Sequence, residues 1–324
     1  MRLPRRQFLH FAAGAAMLPA VSRLAGAQAY PTRSITMIVP LGPGTPADAL
    51  ARVLAERMRG SLGQPIIIEN VTGAGGSIGT GRAARAKPDG YTIELGISST
   101  HVLNGAFYSL PYDVLNDFAS IALLATSAMI LCARKTMPAK NLNELIDWLR
   151  ANPNKATVGI PLATWHLMTA VFQKVTATQL TFVPYRSRSV QDLVAGQIDL
   201  LFVLPDTLPL VRDGSIKAYA VASDARLALA PDIPTFGEMG LPAVSYPGWF
   251  ALFAPKGTPR DIISTLDAAA VEALADPVVR SRLVDLGLEI FPRERQTPEA
   301  LAARVKADAE KWWPLIREFG IKAE

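Results

Sequence analysis

The sequence contains very little cysteine and histidine. Among its 324 residues there are 1 cysteine and 3 histidines. A single cysteine excludes an intrachain disulfide, and Cys132 lies in the apolar stretch 128–133, where we expect a buried thiol. Only His101 and His166 follow the first 27 residues, and no carboxylate cluster at ligand spacing accompanies them. We therefore expect no bound metal.

The usual catalytic motifs are also absent. The sequence has no Gly-x-Ser-x-Gly elbow, no Gly-Lys-Ser/Thr phosphate loop, no His-Glu-x-x-His and no Cys-x-x-Cys. A loose dinucleotide fingerprint at 79–84 falls inside an Ala/Gly-rich helix, which favours close helix packing over cofactor binding. Ser98, Ser99 and His101 lie in one predicted loop, and neighbours in one loop rarely supply a nucleophile and its base. We expect neither catalysis nor a cofactor.

Acidic residues are missing from the first 27 positions, which contain four arginines. Arg5 and Arg6 open the twin-arginine signature RRQFL, followed by an apolar stretch at 11–21 and the small residues AGA at 25–27. The apolar stretch is far shorter than the roughly 20 residues needed to span a bilayer. The pattern predicts a twin-arginine signal peptide over residues 1–27, cleavage before Gln28 or Tyr30, and a periplasmic protein.

The formal charge of +5 resides mostly in this leader. Of the 33 Lys and Arg residues, 29 follow position 27, against 28 Asp and Glu. A nucleic-acid-binding domain would keep a clustered basic face in the mature chain. We expect no nucleic-acid partner.

Strand and helix patterns alternate through the rest of the chain. A βαβαβ order at 34–96 predicts a parallel sheet with helices on both faces. A second series follows residue 125, and the chain then returns with a strand at 249–254 and three helices. We predict two α/β lobes, residues 28–125 plus 253–324 and residues 126–252, joined by two crossings that form a hinge.

Several short segments appear together and in order in this chain. They are LGQPIIIEN at 62–70, GAGGSIG at 73–79, KPDGY at 87–91, LPYD at 110–113 and WFALFAP at 249–255. With them the mature chain resembles the Bug family, the extracytoplasmic receptors of tripartite tricarboxylate transporters. The resemblance implies a type-2 periplasmic-binding-protein fold, a small carboxylated ligand between closing lobes, and membrane transporter subunits as partners. We expect a monomer.

The segments predicted to face the ligand depart from the family's pattern. Pro43 and Pro46 each remove an amide donor from the loop at 41–48. The usual Gly/Ser-rich segment before His166 becomes 160–165, which contains Trp165. The segment 185–196 is about two residues shorter than usual. Val203 stands where many members have Asp, which favours an acid with an apolar body over an amino acid.

The resemblance and the strand ends together predict the ligand-binding residues. They are Leu41, Gly44, Thr45, Pro46, Asp48, Ser98, Ser99, Trp165, His166, Tyr185, Arg186, Arg188 and Val203. Backbone amides at the start of the first helix favour an anion, although Thr45 also fits a simple helix cap. Ser98 and Ser99 follow a strand at the edge where α/β sheets bind ligands, or they are ordinary turn hydroxyls.

Two predictions keep an alternative, one for a pair of arginines and one for the function of the protein. Arg186 and Arg188 suit a carboxylate, because a guanidinium donates paired hydrogen bonds, or they are solvated surface charges. The function we predict is a periplasmic solute-binding receptor. The alternative is a periplasmic sensor or enzyme built on the same fold.

Overall fold

The computed structural model describes residues 30–185 and 189–318. The predicted signal peptide, Arg186 and Arg188 lie outside the described residues.

Strands and helices alternate along most of the described chain. The strands are β1 (Ile35–Val39), β2 (Ile66–Asn70), β3 (Thr92–Ile97), β4 (Phe118–Ser127), β5 (Ile130–Arg134), β6 (Thr157–Ile160), β7 (Thr181–Pro184), β8 (Leu200–Val203), β9 (Ile216–Val221), β10 (Gly248–Pro255) and β11 (Glu289–Ile290). The α-helices are α1 (Pro46–Leu62), α2 (Ser77–Ala84), α3 (Asn104–Phe107), α4 (Leu142–Ala151), α5 (Ala163–Thr176), α6 (Ser189–Val194), α7 (Leu208–Arg212), α8 (Arg260–Ala275), α9 (Pro277–Asp285) and α10 (Pro298–Glu318). A π-helical turn, Ser99–Leu103, follows β3.

One sheet contains six of the described strands, in the order β11-β4-β10-β3-β1-β2. β1 runs parallel to β2 and β3, whereas β10 runs antiparallel to both β3 and β4. The inner strands are apolar and buried because helices cover the sheet. Leu50 and Leu54 of α1 and Leu266 of α8 pack in its core. We call this sheet and its helices the first lobe.

The second sheet contains five of the described strands, in the order β7-β6-β8-β5-β9. β6 runs parallel to β7 and β8, and β5 runs antiparallel to β8 and β9. Leu145 and Leu149 of α4 and Leu167 of α5 belong to its core. We call this sheet and its helices the second lobe.

The chain crosses between the lobes along two paired strands. β4 leads into the second lobe and β10 returns from it, and the two pair antiparallel from Phe118–Pro255 to Ser127–Gly248. Both strands belong to the first sheet over their whole length. The lobe boundaries expected at 125/126 and 252/253 therefore fall inside β4 and β10, because pairing between these strands continues to Ser127 and Gly248.

The two lobes lie against each other in this structure. One buried apolar cluster includes Val102 and Leu123 of the first lobe together with Met129 and Leu167 from the second-lobe side.

Candidate functional site

A small pocket lies where the two lobes meet. The first lobe contributes the loop after β1, the start of α1 and the residues after β3. The second lobe contributes the start of α5. Two wider depressions adjoin it and share Leu162 with it. The lining of all three includes residues of both lobes, as expected for a ligand-binding cleft.

The start of α1 forms one wall of the pocket. Thr45 is the N-cap: its Oγ1 accepts a hydrogen bond from Asp48 N at 3.4 Å, and Pro46 occupies the first turn. Gly44 has φ +79° and donates its N–H to Asp48 Oδ2 at 3.0 Å. Pro46 has no N–H. Within the described residues, the N–H of Ala47 has no hydrogen-bond partner, and Ala47 lines the pocket.

The buried carboxylate of Asp48 holds this loop in place through hydrogen bonds. It is 3% exposed and accepts hydrogen bonds from Gly44, from Asn70 Nδ2 at 2.9 Å and from Arg52 Nε at 3.0 Å. Burial alone would raise the pKa of Asp48, but the hydrogen bonds from Arg52, Gly44 and Asn70 hold that pKa below its usual value. The carboxylate is therefore engaged within the first lobe. The structure does not place it on the pocket wall, and neither does it leave the Gly44 amide available to a ligand.

The predicted serines lie in the pocket. Ser98 and Ser99 follow β3, are almost fully buried, and line the same pocket as Thr164 of α5. Ser99 Oγ and Thr164 Oγ1 are 2.5 Å apart. Thr100 holds the turn below them, because its Oγ1 donates to Ile97 O at 3.1 Å. The hydroxyl pair joins the two lobes directly.

Two tryptophans line the pocket from opposite lobes. The indole N–H of Trp165 donates to the carbonyl of Phe202 inside the second lobe. The indole N–H of Trp249, on β10, donates to Asp308 Oδ2 at 2.8 Å. Arg304 Nε also donates to Asp308, at 2.9 Å. Since both N–H groups are bonded within the protein, the pocket meets aromatic carbon on both walls.

Sequence reasoning missed the residues that the crossing strands contribute. Ser127 at the end of β4, Gly248 and Trp249 at the start of β10, and Met129 all line the pocket. Ser127 is 3% exposed, and its Oγ has no hydrogen-bond partner within the described residues. The predicted crossings located this part of the chain. They could not indicate which side chains face the pocket.

The remaining predicted residues have different placements. Leu41 lines the pocket, and His166 and Tyr185 line an adjoining depression. The ring of His166 lies edge-on to Phe182 at 4.9 Å between ring centroids.

Val203 is not among the residues that line the three pockets described above. It is 2% exposed and packs in a second-lobe cluster with Leu193 and Leu208, because β8 is covered on both faces. Its role as a ligand-binding residue stays a prediction. Arg186 and Arg188 lie outside the described residues.

A buried Glu–His pair lies inside the first lobe, away from the pocket. Glu94 Oε1 accepts from Thr80 Oγ1 at 2.7 Å, and Glu94 Oε2 is 3.6 Å from His101 Nε2. Burial raises the pKa of Glu94 to about 8 and lowers the pKa of His101 to about 3. Both side chains are therefore neutral near pH 7. His101 stacks on Phe253 with the ring centroids 3.8 Å apart.

His101 and Cys132 are both buried inside the lobes. The two ring nitrogens of His101 face Thr100 and Glu94. Among residues 30–185 and 189–318, no group of three or more His, Cys, Asp or Glu side chains could hold a metal ion. Cys132 is buried, which raises the pKa of its thiol. No helix in the described part of the chain has the length and apolarity to cross a membrane.

Two α/β lobes, two paired crossing strands and a pocket lined by both lobes define a hinged solute-binding protein. Comparison with known proteins identifies the family. Residues 50–321 match the family described as the tripartite tricarboxylate transporter family receptor. The chain therefore belongs to this family, and its role is that of a solute-binding receptor. The predicted family and fold class are confirmed.

Curated relatives and solved structures agree with this assignment. Protein BugT of Bordetella pertussis is 33% identical over 303 residues, covering 91% of this chain and 92% of BugT. The periplasmic binding protein BugD is 34% identical with a TM-score of 0.84, covering 91% of this chain and all of that one (100%). MatC from Rhodopseudomonas palustris, solved with bound malate, is 35% identical with a TM-score of 0.83, covering 89% of this chain and 100% of MatC.

Proposed function

We propose that this chain is a periplasmic receptor that binds a small organic carboxylate in the pocket between its lobes. We further propose that it is exported by the twin-arginine route and delivers its ligand, as a monomer, to the membrane subunits of a transporter. The observation that carries the proposal is the set of hydroxyl groups and one helix-start amide that both lobes bring to a single pocket.

The chemistry of this set suits a carboxylate. The N–H of Ala47 points from the first turn of α1, where the helix dipole favours negative charge. Ser127 supplies a buried hydroxyl without a partner among the described residues, and Ser98 lies beside it in the pocket lining. Buried polar groups normally find hydrogen-bond partners, so an unpaired hydroxyl on a pocket wall favours a ligand there. The malate bound to MatC supports the same ligand class.

The side chains around the pocket favour ligand binding without catalysis. Ser98, Ser99 and Ser127 are the described serines that line the pocket, and a serine needs an adjacent base to react. His101 is fully buried and contacts Thr100 and Glu94. We propose that the two lobes close about the crossings in β4 and β10, near the predicted boundaries at residues 125/126 and 252/253.

A thermal-shift screen tests the proposal. The mature chain from Gln28 is heated with a panel of mono-, di- and aromatic carboxylates, and with amides of matched size. We expect at least one carboxylate to raise the melting temperature in a concentration-dependent way, because a ligand that binds only the folded state stabilises it. If the amides shift the transition and no carboxylate does, the carboxylate receptor assignment is wrong.

A further inference from the structure

The pocket walls carry an unusual amount of aromatic carbon for an organic-acid site. Trp165 and Trp249 come from opposite lobes, and each indole N–H is bonded to the protein: to the Phe202 carbonyl and to Asp308 respectively. The anchoring is firm for Trp249, since Arg304 also donates to Asp308. Two fixed rings that line one pocket from opposite lobes are suited to contact a flat apolar group.

The described residues of the same walls carry no charged side chain. Among the described residues, none that lines this pocket is an Asp, Glu, Lys, Arg or His. The polar groups there are hydroxyls and the N–H of Ala47, of which Ser127 Oγ is nine-tenths buried and unpaired within the described chain. These neutral donors suffice for one carboxylate at the start of α1. A second carboxylate in the pocket would lose its water without gaining a cation.

Building on the proposed function, we infer that the ligand is a monocarboxylate with a flat apolar body. Its carboxylate lies against Ser127 and the start of α1, and its body lies between Trp165 and Trp249. The pocket thus selects against dicarboxylates of the same length and against small acids without an apolar body.

The first test is calorimetric titration of the mature chain with matched acids. The pairs are benzoate with terephthalate and hexanoate with adipate, and acetate serves as the acid without a body. We expect benzoate and hexanoate to bind at least about tenfold more tightly than their dicarboxylate partners. Acetate should bind more weakly than benzoate, because it lacks the buried apolar area.

The second test uses variants of the pocket wall. Trp165→Ala should lower the affinity for benzoate about tenfold or more and leave the affinity for acetate unchanged, since only the apolar contact is lost. Trp165→Phe should restore most of the preference for benzoate. Ser127→Ala should weaken benzoate and acetate alike by about tenfold, because both lose the same charged hydrogen bond.

Matched controls lie elsewhere in the same lobes. Trp148 on α4 is half-buried and outside the pocket, and Ser120 is on the same strand as Ser127 near its far end. Trp148→Ala and Ser120→Ala should bind benzoate like the wild-type chain. An equal loss of benzoate affinity in Trp148→Ala and Trp165→Ala would mean that the effect is general destabilisation. The proposed contact between Trp165 and the ligand would then be wrong.

The outcomes separate this inference from the proposed function. If terephthalate or adipate binds as tightly as its monocarboxylate partner, the single-carboxylate inference is wrong while the carboxylate receptor stands. If no carboxylate in the screen binds, both fail.

Discussion

Ser99 Oγ of the first lobe lies 2.5 Å from Thr164 Oγ1 of the second lobe, and both side chains are buried. The two residues are 65 positions apart in the sequence and belong to different lobes, Ser99 to the π-helical turn after β3 and Thr164 to α5. A hydrogen bond of this kind forms only when the lobes are together. The pair is therefore a direct marker of the closed arrangement, at the same place where the ligand pocket lies.

We predict that removing this bond favours the open arrangement. Thr164→Val keeps the shape of the side chain and leaves Ser99 without its partner, which costs about 1–3 kcal/mol for a buried polar group. X-ray scattering of the ligand-free chain should show a larger radius of gyration for Thr164→Val than for the wild type. Thr169→Val, at a second buried threonine of α5, is the control. Identical scattering of all three proteins would mean that the hydroxyl pair does not hold the lobes together.

A second contact between the lobes allows a steric test. Gly287 of the first lobe has φ +69°, and a Cβ there would lie 2.2 Å from Pro205 Cβ of the second lobe. Gly287→Ala should prevent the lobes from approaching as they do here and weaken benzoate binding about tenfold, or about 1.4 kcal/mol. Gly214 has φ +73° and nothing within 4 Å of the same position, so Gly214→Ala has a similar backbone cost without the clash. Equal affinity in the two variants would contradict the steric explanation.

The buried Glu94 predicts an unusual dependence of stability on pH. Its pKa is about 8 in the folded chain and ordinarily 4.5, so between these values the unfolded chain releases a proton that the folded chain retains. Stability therefore falls as pH rises through this window. His101, with a folded pKa of about 3 and an ordinary value of 6.5, has the opposite effect between pH 3 and 6.5. Above pH 6.5, only Glu94 of these two residues still changes the stability with pH.

Glu94→Gln removes this contribution and keeps an acceptor for Thr80. Relative to the wild type, the variant should gain about 2 kcal/mol of unfolding free energy between pH 6.5 and 8. Urea titrations at several pH values measure the difference. If the two curves run parallel from pH 6.5 to 8, Glu94 does not carry its proton in the folded chain.

Arg188 is predicted, from the sequence alone, to pair with the ligand carboxylate. It follows Pro184 and Tyr185, which line an adjoining depression of the cleft. This pairing is the alternative to a carboxylate held by the neutral donors of the pocket. Loss of a desolvated guanidinium partner costs about 2–5 kcal/mol, so under this alternative Arg188→Ala should lower affinity for benzoate more than about tenfold. Arg186→Ala and Lys135→Ala, a substitution at an exposed second-lobe lysine, provide the comparison. Binding by Arg188→Ala within about threefold of the wild type would identify a surface charge.

Export should depend on the paired arginines of the leader. Replacing Arg5 and Arg6 together by lysine should leave unprocessed precursor in the cytoplasm, because the twin-arginine signature requires both. Arg2→Lys, outside the signature, should be exported normally. Cell fractionation and the mass of the recovered chain measure both outcomes. Normal periplasmic recovery of the double variant would indicate the general secretory route.

Local patterns were enough to predict the architecture. Strand and helix periods along residues 34–96 predicted the parallel part of the first sheet, and the return of the chain near 249 predicted the two crossings. The cap at Thr45 was also predicted, because it depends on residues within one turn of each other. The positions of Ser98 and Ser99 followed from the end of β3 in the same way.

What only the tertiary structure decided is the direction of the side chains at the cleft. Asp48 turns away from the pocket because Asn70, 22 residues later, and Arg52 hold it. Val203 is enclosed because β8 is buried on both faces.

Ser127 and Trp249 reach the pocket wall through the pairing of β4 with β10, in which Ser127 opposes Gly248. The periodicity of hydrophobic residues and the capping of helices depend on residues a few positions apart. The sequence by itself therefore determined the helices and strands and their order. The pocket depends on contacts between residues far apart in the chain, and these exist only once the two lobes are packed together.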